Sequence, residues 1–302
     1  MSRPGYGGRS SGRTPHGCTG SRSRLRRGWR RRERDRRDHS HHIRRRPTAT
    51  DGSPEQEGRQ LRFVLVHGGF HGAWCWERLV PELGKRGHAA LAVDLPGHGK
   101  RVDEDATLAG YRDAVVEVIE SGDVLVGHSM GGFVTSLAAD ATVDLVRHVV
   151  YLAAGLPVEG KPMQASGAGS LLGASAIIEL TEDGRLQFRS AEAAIDFFFH
   201  DCSPQVAQWA YSMLTPQPLS VFAEPISIPR FWEAELPRSL ILCRLDHAGG
   251  PETAVRETIA RLGVDPLWID TSHSPFLSQP ARCAELILEA TNRPPIGPLR
   301  PR

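Results

Sequence analysis

Little in this 302-residue chain suggests a covalent or membrane framework. Cysteine is scarce: Cys18, Cys75, Cys202, Cys243 and Cys283 are odd in number and form no C-x-x-C pair. That argues against a disulfide scaffold and a zinc site, and for a reducing compartment, the cytoplasm. No uninterrupted apolar run approaches the roughly 20 residues that a membrane span needs. No internal repeat is present. Methionine is rare, and after Met1 the next is Met130.

Residues 1–59 also lack nearly all aliphatic side chains. They carry seventeen Arg against six acids, a surplus of eleven positive charges, whereas the remaining residues carry 20 bases against 29 acids, a deficit of nine. The overall charge of +2 therefore describes neither part. A segment this poor in apolar surface cannot offset its ordering entropy, so an Arg-rich disordered tail is expected. Its run from Arg22 to Arg46 suits phosphate contacts with nucleic acid. A solvated tail, or one arising from a mis-assigned start, is the favoured reading over a nucleic-acid arm. The absence of an apolar stretch behind it argues against a secretory signal. His39, His41 and His42 read as tail, not as a metal site.

From Leu61 onward the composition becomes that of a globular protein. Leu61–Val66 reads as a buried strand and ends in a Gly-rich loop, His67-Gly68-Gly69-Phe70-His71-Gly72-Ala73-Trp74. A helix is expected over about 77–86, stopped by Gly87, then a strand over 88–93. Asp94 and His98 in the next loop read as structural. Thr107 caps a helix whose Leu108, Tyr111, Val115, Val118 and Ile119 share a face. Strand and helix continue to alternate through 152, resume at 239–243, and close with a last strand over 264–269 and a helix over about 280–291. That alternation predicts an α/β fold, a mostly parallel sheet wound on both sides. Residues 156–235 break the pattern with scattered Pro, Gly and aromatic clusters, and read as an inserted cap of short helices. The folded domain is expected over 60–292, with a loose tail over 293–302.

The stretch Asp123 to Gly132 organises the rest. An apolar run meets Ser129, flanked two positions away by Gly127 and Gly131, and a helical pattern follows. This G-x-S-x-G spacing exposes a Ser hydroxyl on a sharp strand-to-helix turn. Glycine is needed there because a Cβ would collide with neighbouring backbone. Unpaired N–H groups at the helix start suit a developing oxyanion. A Ser hydroxyl needs a base, and the base an orienting carboxylate. Candidates belong at the C-terminal ends of strands, where open α/β sheets carry their sites. His273 follows the last strand and Asp246 the one before it. Asp270, Asp265 and His247 are weaker rivals. The backbone N–H groups of Gly69 and Met130 are the candidate oxyanion donors. His67 reads as a brace for its loop, while His71 and Trp74 either border a pocket or fill the core.

The loop 67–74, the Gly-His-Ser-Met-Gly-Gly turn and Cys243-Arg244-Leu245-Asp246 resemble the methylesterase and hydroxynitrile-lyase branch of the α/β-hydrolases, over about 61–291. The order Ser129, Asp246, His273 is the order of that fold. The resemblance implies a serine hydrolase acting on a small carboxylic ester, with a methyl ester as one candidate, and no cofactor or metal. A lyase, another biosynthetic enzyme of this fold and a slow-turnover binding protein remain alternatives. The lyases carry Thr at the place of Gly68 and Lys after the catalytic His, where this chain has Ser274. Expected partners are a small-molecule ester and no membrane; a homodimer is left open. After Asp246 the family has a longer acidic loop, replaced here by Ala248-Gly249-Gly250.

Overall fold

In the computed structural model the described residues are 60–165 and 175–293. The Arg-rich segment 1–59, with its nucleic-acid and start-site readings, lies outside them, as does the C-terminal tail beyond Arg293. The chain enters its fold through β1 (Arg62–Val66), α1 (Leu79–Lys85), β2 (Ala89–Val93), α2 (Leu108–Val116), β3 (Asp123–His128), α3 (Gly131–Ala141) and β4 (Val146–Leu152). A second stretch follows with β5 (Lys161–Pro162), β6 (Ile178–Leu180), β7 (Arg185–Phe188), α4 (Ala191–Phe198) and α5 (Pro204–Ser212). It continues through β8 (Gln217–Pro218), β9 (Pro225–Ile226) and α6 (Pro229–Glu233). The alternation then resumes with β10 (Arg238–Cys243), α7 (Glu252–Leu262), β11 (Leu267–Ile269), α8 (Pro275–Ser278) and α9 (Pro280–Thr291).

Six strands form the central sheet in the order β11-β10-β4-β3-β1-β2. Every neighbouring pair is parallel. All six residues of β3 are buried, because helices cover both faces. The pleat divides the apolar side chains between two layers. Val64, Val66 and Leu125 pack with Phe133 and Val134 of α3 and Tyr111 of α2. Phe63, Leu65, Val124 and Val126 pack with Leu79 and Leu83 of α1 and Leu286 and Ile287 of α9.

Most helix boundaries follow their local signals. The Thr107 side chain accepts from Gly110 N–H at the start of α2, and Gly263, with φ of 64°, ends α7. The first helix is slightly shorter than expected, running from Leu79 to Lys85 after a separate 3-10 turn at Ala73–Trp76. The last strand is also shorter, since Pro266 has no N–H to give to a ladder.

The cap is not the purely helical insertion expected. It holds an antiparallel three-stranded sheet, β6-β7-β8, and the pair β5-β9, beside its helices. Gly184, at φ 79°, turns the chain between β6 and β7, a local signal hidden among scattered polar residues. Its last helix joins the base: Phe231 and Trp232 of α6 lie in the same apolar layer as α3, and Phe231 N–H donates to Asp140 (2.8 Å).

Candidate active site

Ser129 sits between the end of β3 and the start of α3 with φ of 53°, in the left-handed region. Such a conformation costs a non-Gly residue roughly 1–3 kcal/mol and persists only where surroundings enforce it. A Cβ on Gly127 would lie 2.6 Å from the Gly131 carbonyl oxygen, and one on Gly131 would lie 2.5 Å from that of Val66. The two glycines therefore allow the turn to press against β1 and its own helix. Ser129 N–H donates to Leu152 O at 3.1 Å, tying the turn to the tip of β4.

Asp246 and His273 come from the loops after β10 and β11. Backbone bonds from Arg244 N–H to Ile269 O (2.9 Å) and from Leu245 N–H to Thr271 O (3.1 Å) join these loops side by side. His273 Nδ1 then meets Asp246 Oδ2 at 2.8 Å. The other carboxylate oxygen accepts N–H groups from Ala248 (2.8 Å) and Gly249 (2.7 Å). Burial pushes this carboxyl up, but the imidazole and the two backbone donors outweigh it and hold the acid below its usual range. His273 is buried, its ring stacks on that of Phe198 (centroids 5.5 Å apart, planes 23° apart), and its carbonyl is held by His128 Nε2 (2.9 Å). Among the described residues, His273 Nε2 has no hydrogen-bond partner.

The rivals are occupied elsewhere. Asp270 is exposed and pairs with Arg244 (3.0 Å). His247 stacks on His200 with centroids 4.0 Å apart and bonds the Asp196 carbonyl. Asp265 accepts at its backbone oxygen from Arg293.

The loop after β1 is braced by imidazoles. His67 Nδ1–H donates to Gly68 O (2.8 Å) while its Nε2 accepts from Leu95 N–H (3.1 Å). Burial lowers its pKa to about 4, so the ring is neutral and its role is the expected brace. His71 belongs to the core: it is fully buried, bonds Gly69 O at 2.7 Å, and is pressed among Trp74, Phe198 and Phe199. Burial lowers its pKa to about 3. Asp94 accepts from Ala73 N–H (2.6 Å) and His98 contacts Tyr111 (3.0 Å), both structural as read. The sequence reading missed Gln217, buried in the cap, whose Oε1 accepts from Phe70 N–H at 3.2 Å. It also missed His128. His128 lies inside the Ser129 motif at a position that the motif leaves open, and only folding brings Gln217 to the loop after β1.

Ser129, His273, Asp246, Gly69 and Met130 all line one cavity of about 280 Å³. Its walls are mainly apolar, with Phe70, Phe133, Phe198, Phe222 and Trp268, and no Lys or Arg among the described residues lines it. Three non-Gly residues, Phe70, Ser129 and Ala153, have positive φ among the described residues, and all three border this cavity. The N–H groups of Gly69 and Met130 find no acceptor among the described residues. An alcohol, an imidazole–carboxylate pair and two free donors thus share one apolar chamber, the equipment of acyl transfer. Among the described residues no group of three His, Cys, Asp or Glu side chains could hold a metal ion, and no helix is long and apolar enough to cross a membrane.

Comparison with known proteins identifies the family. Residues 63–286 match the profile described as the alpha/beta hydrolase family. The chain is 44% identical over 110 residues to Esterase PIR7B of Oryza sativa subsp. japonica, covering 33% of this chain and 41% of that protein. It therefore spans about two fifths of the length of this and several similar relatives. Norfluorocurarine synthase 2 of Strychnos sp is 28% identical over 261 residues, 78% of this chain and 97% of that one. The crystal structure of polyneuridine aldehyde esterase is 26% identical with a TM-score of 0.67, covering 78% of this chain and all of the other.

Proposed function

Because this chain belongs to the alpha/beta hydrolase family, we propose that it is a serine esterase that cleaves a small carboxylic ester through an acyl-enzyme, without cofactor or metal. The observation that carries the reading is the His273–Asp246 pair (2.8 Å): His273 Nε2 has no partner among the described residues, and both residues line the same cavity as Ser129. Asp246 fixes the tautomer with the proton on Nδ1 and favours the imidazolium. Nε2 is then the base that takes the Ser129 proton as the hydroxyl attacks the ester carbonyl. The N–H groups of Gly69 and Met130 stabilise the oxyanion. His273 returns the proton to the departing alkoxide, and water repeats the cycle on the acyl-enzyme.

The apolar walls suit a neutral acyl group, a methyl ester of an apolar or aromatic acid being the candidate. Esterase names among the relatives support the class of reaction. Cyanohydrin cleavage fits less well. A Cβ on Gly68 would lie 2.8 Å from His128 Nδ1 and 2.9 Å from Ser129 Cβ, leaving no room for Thr. Ser274, after the base, offers no cation to hold cyanide. The described cysteines are free thiols, three of them buried, which supports a cytoplasmic setting.

The test is hydrolysis of a panel of methyl, aryl and long-chain esters by the purified chain, with Ser129→Ala as control. Turnover of short esters that vanishes in the variant is expected. Equal turnover by both proteins, or none by the wild type on any ester, contradicts the proposal.

A further inference from the structure

A closed ring of hydrogen bonds lies beside the candidate oxyanion loop. Phe70 has φ of 65°, a region that bulky residues rarely enter. Its N–H donates to Gln217 Oε1 at 3.2 Å. Its carbonyl accepts from the N–H of Thr215 (2.8 Å) and from the Thr215 hydroxyl (3.4 Å). Between these ends the polar groups connect. Gln217 Nε2 lies 3.5 Å from Tyr111 Oη, Tyr111 Oη lies 3.0 Å from His98 Nε2, and His98 Nδ1 lies 3.2 Å from Thr215 Oγ1.

One assignment of protons satisfies every link. The Thr215 hydroxyl gives its proton to Phe70 O, so it accepts from His98 Nδ1–H. His98 Nε2 is then an acceptor and takes the Tyr111 hydroxyl proton. The Tyr111 oxygen accepts from the Gln217 amide, whose oxygen accepts Phe70 N–H. The donors run one way around the ring. The assignment needs a neutral His98, and burial holds that ring well below its usual pKa. The second Gln217 amide proton goes to Pro218 O at 3.0 Å. Gln217 and Tyr111 are fully buried, as is His98, and a half-satisfied network there would be costly.

We propose that Gln217 is a positioning residue for the oxyanion pocket: through this ring it fixes the Phe70 peptide and so turns the adjoining Gly69 N–H toward the cavity in which Ser129 reacts. The inference rests on the esterase reading above. Two further contacts support it. His71 Nδ1–H grips the Gly69 carbonyl at 2.7 Å, and Gln217 Oε1 stands 3.0 Å from where a Cβ on Gly69 would be. Gln217 is itself placed by β8, which pairs with β7. The cap therefore supplies part of the catalytic geometry as well as a cover.

The experiment uses the full chain with Gln217→Leu, which keeps the volume and removes both amide atoms, and with Tyr111→Phe, which opens the far side of the ring. Three quantities are read: kcat and KM for an aryl acetate, and the inhibition constant of phenylboronic acid, which forms a tetrahedral adduct on a reactive Ser. Gln217→Leu is expected to lower kcat about 10- to 100-fold, less than the roughly 100- to 1,000-fold that follows removal of an oxyanion donor, with KM changed by less than about threefold. Boronic acid affinity should fall in proportion to kcat, and Tyr111→Phe should move both in the same direction by less. A folded Gln217→Leu with kcat within about twofold of wild type, or with a loss carried by KM alone, overturns the proposal. Where Gln217→Leu does not fold, Tyr111→Phe decides, and unchanged kcat with unchanged boronic acid affinity overturns it. Wild type lacking hydrolysis dependent on Ser129 overturns the esterase reading and this inference together; an active wild type with an unaffected Gln217→Leu overturns this inference alone.

Discussion

Ser129 and Phe70 face one cavity in the same rare backbone region, with φ of 53° and 65°, but they are held there by opposite means. The Ser129 turn is built locally. Its glycines lie within three residues, and their missing Cβ atoms let backbone meet backbone. The Phe70 turn is held from a distance, by Thr215 and Gln217 at sequence separations of 145 and 147 residues. Local strain of the first kind is specified by a short motif. The second kind depends on a cap that must fold and dock before the loop has its shape.

Substitutions can break each half in turn. Ser129→Ala removes the nucleophile and should lower kcat by about four to six orders of magnitude, measured with an active-site-titrated wild type as reference. Asp246→Asn leaves the loops joined but favours the wrong imidazole tautomer, and should lower kcat by about 10⁴. Retained activity in that variant would show that the carboxylate does not orient the base. Gly131→Ala attacks the local half: its Cβ would lie 2.5 Å from the Val66 carbonyl, an atom that cannot move aside. It should destabilise the chain by about 1–3 kcal/mol, read as a lower urea midpoint, and lower kcat as well. Gly69→Ala attacks the remote half, where the nearest obstacle is the Gln217 side chain at 3.0 Å. Here the urea midpoint should change less than in Gly131→Ala. The reverse ranking would mean that the cap contact is the more rigid of the two.

The smallest expected effect is on acid stability. Burial lowers the pKa of His67 to about 4, of His71 to about 3 and of His148 to about 4, and shifts His98 and His128 in the same direction. Near pH 5 the unfolded chain therefore binds more protons than the native one, so stability rises with pH there. The contribution is fully present above about pH 6.5, the unfolded His value, and is lost as pH falls through 6 toward 4. Urea midpoints at pH 7.5, 6 and 5 should decline in that order. A flat series would mean that the rings accept protons without loss of structure.

The same contrast explains what was legible. The apolar runs 63–66, 124–126 and 149–152 are continuous because their strands are buried on both faces, and they reveal a parallel sheet without any structure. Ser129 was visible through its glycines, and His273 and Asp246 through their places after the last two strands. The cap was not legible in kind. Its strands are two to four residues long, too short for periodicity to register. The two N–H groups that clamp Asp246 come from Ala248 and Gly249, where the loop folds back on the carboxylate, a backbone effect that no side-chain pattern reports. Gln217, and the partners that His98 takes, were hidden for a related reason. Each has meaning only as a link in a ring that joins four separate segments.

The central claim is that Ser129 is the nucleophile, and covalent capture tests it most directly. The intact chain is treated with a fluorophosphonate, digested and mapped by mass spectrometry. One stoichiometric adduct is expected, on the peptide containing Ser129, and it is absent in Ser129→Ala. An adduct on another residue at equal stoichiometry, or undiminished labelling of the variant, would contradict it.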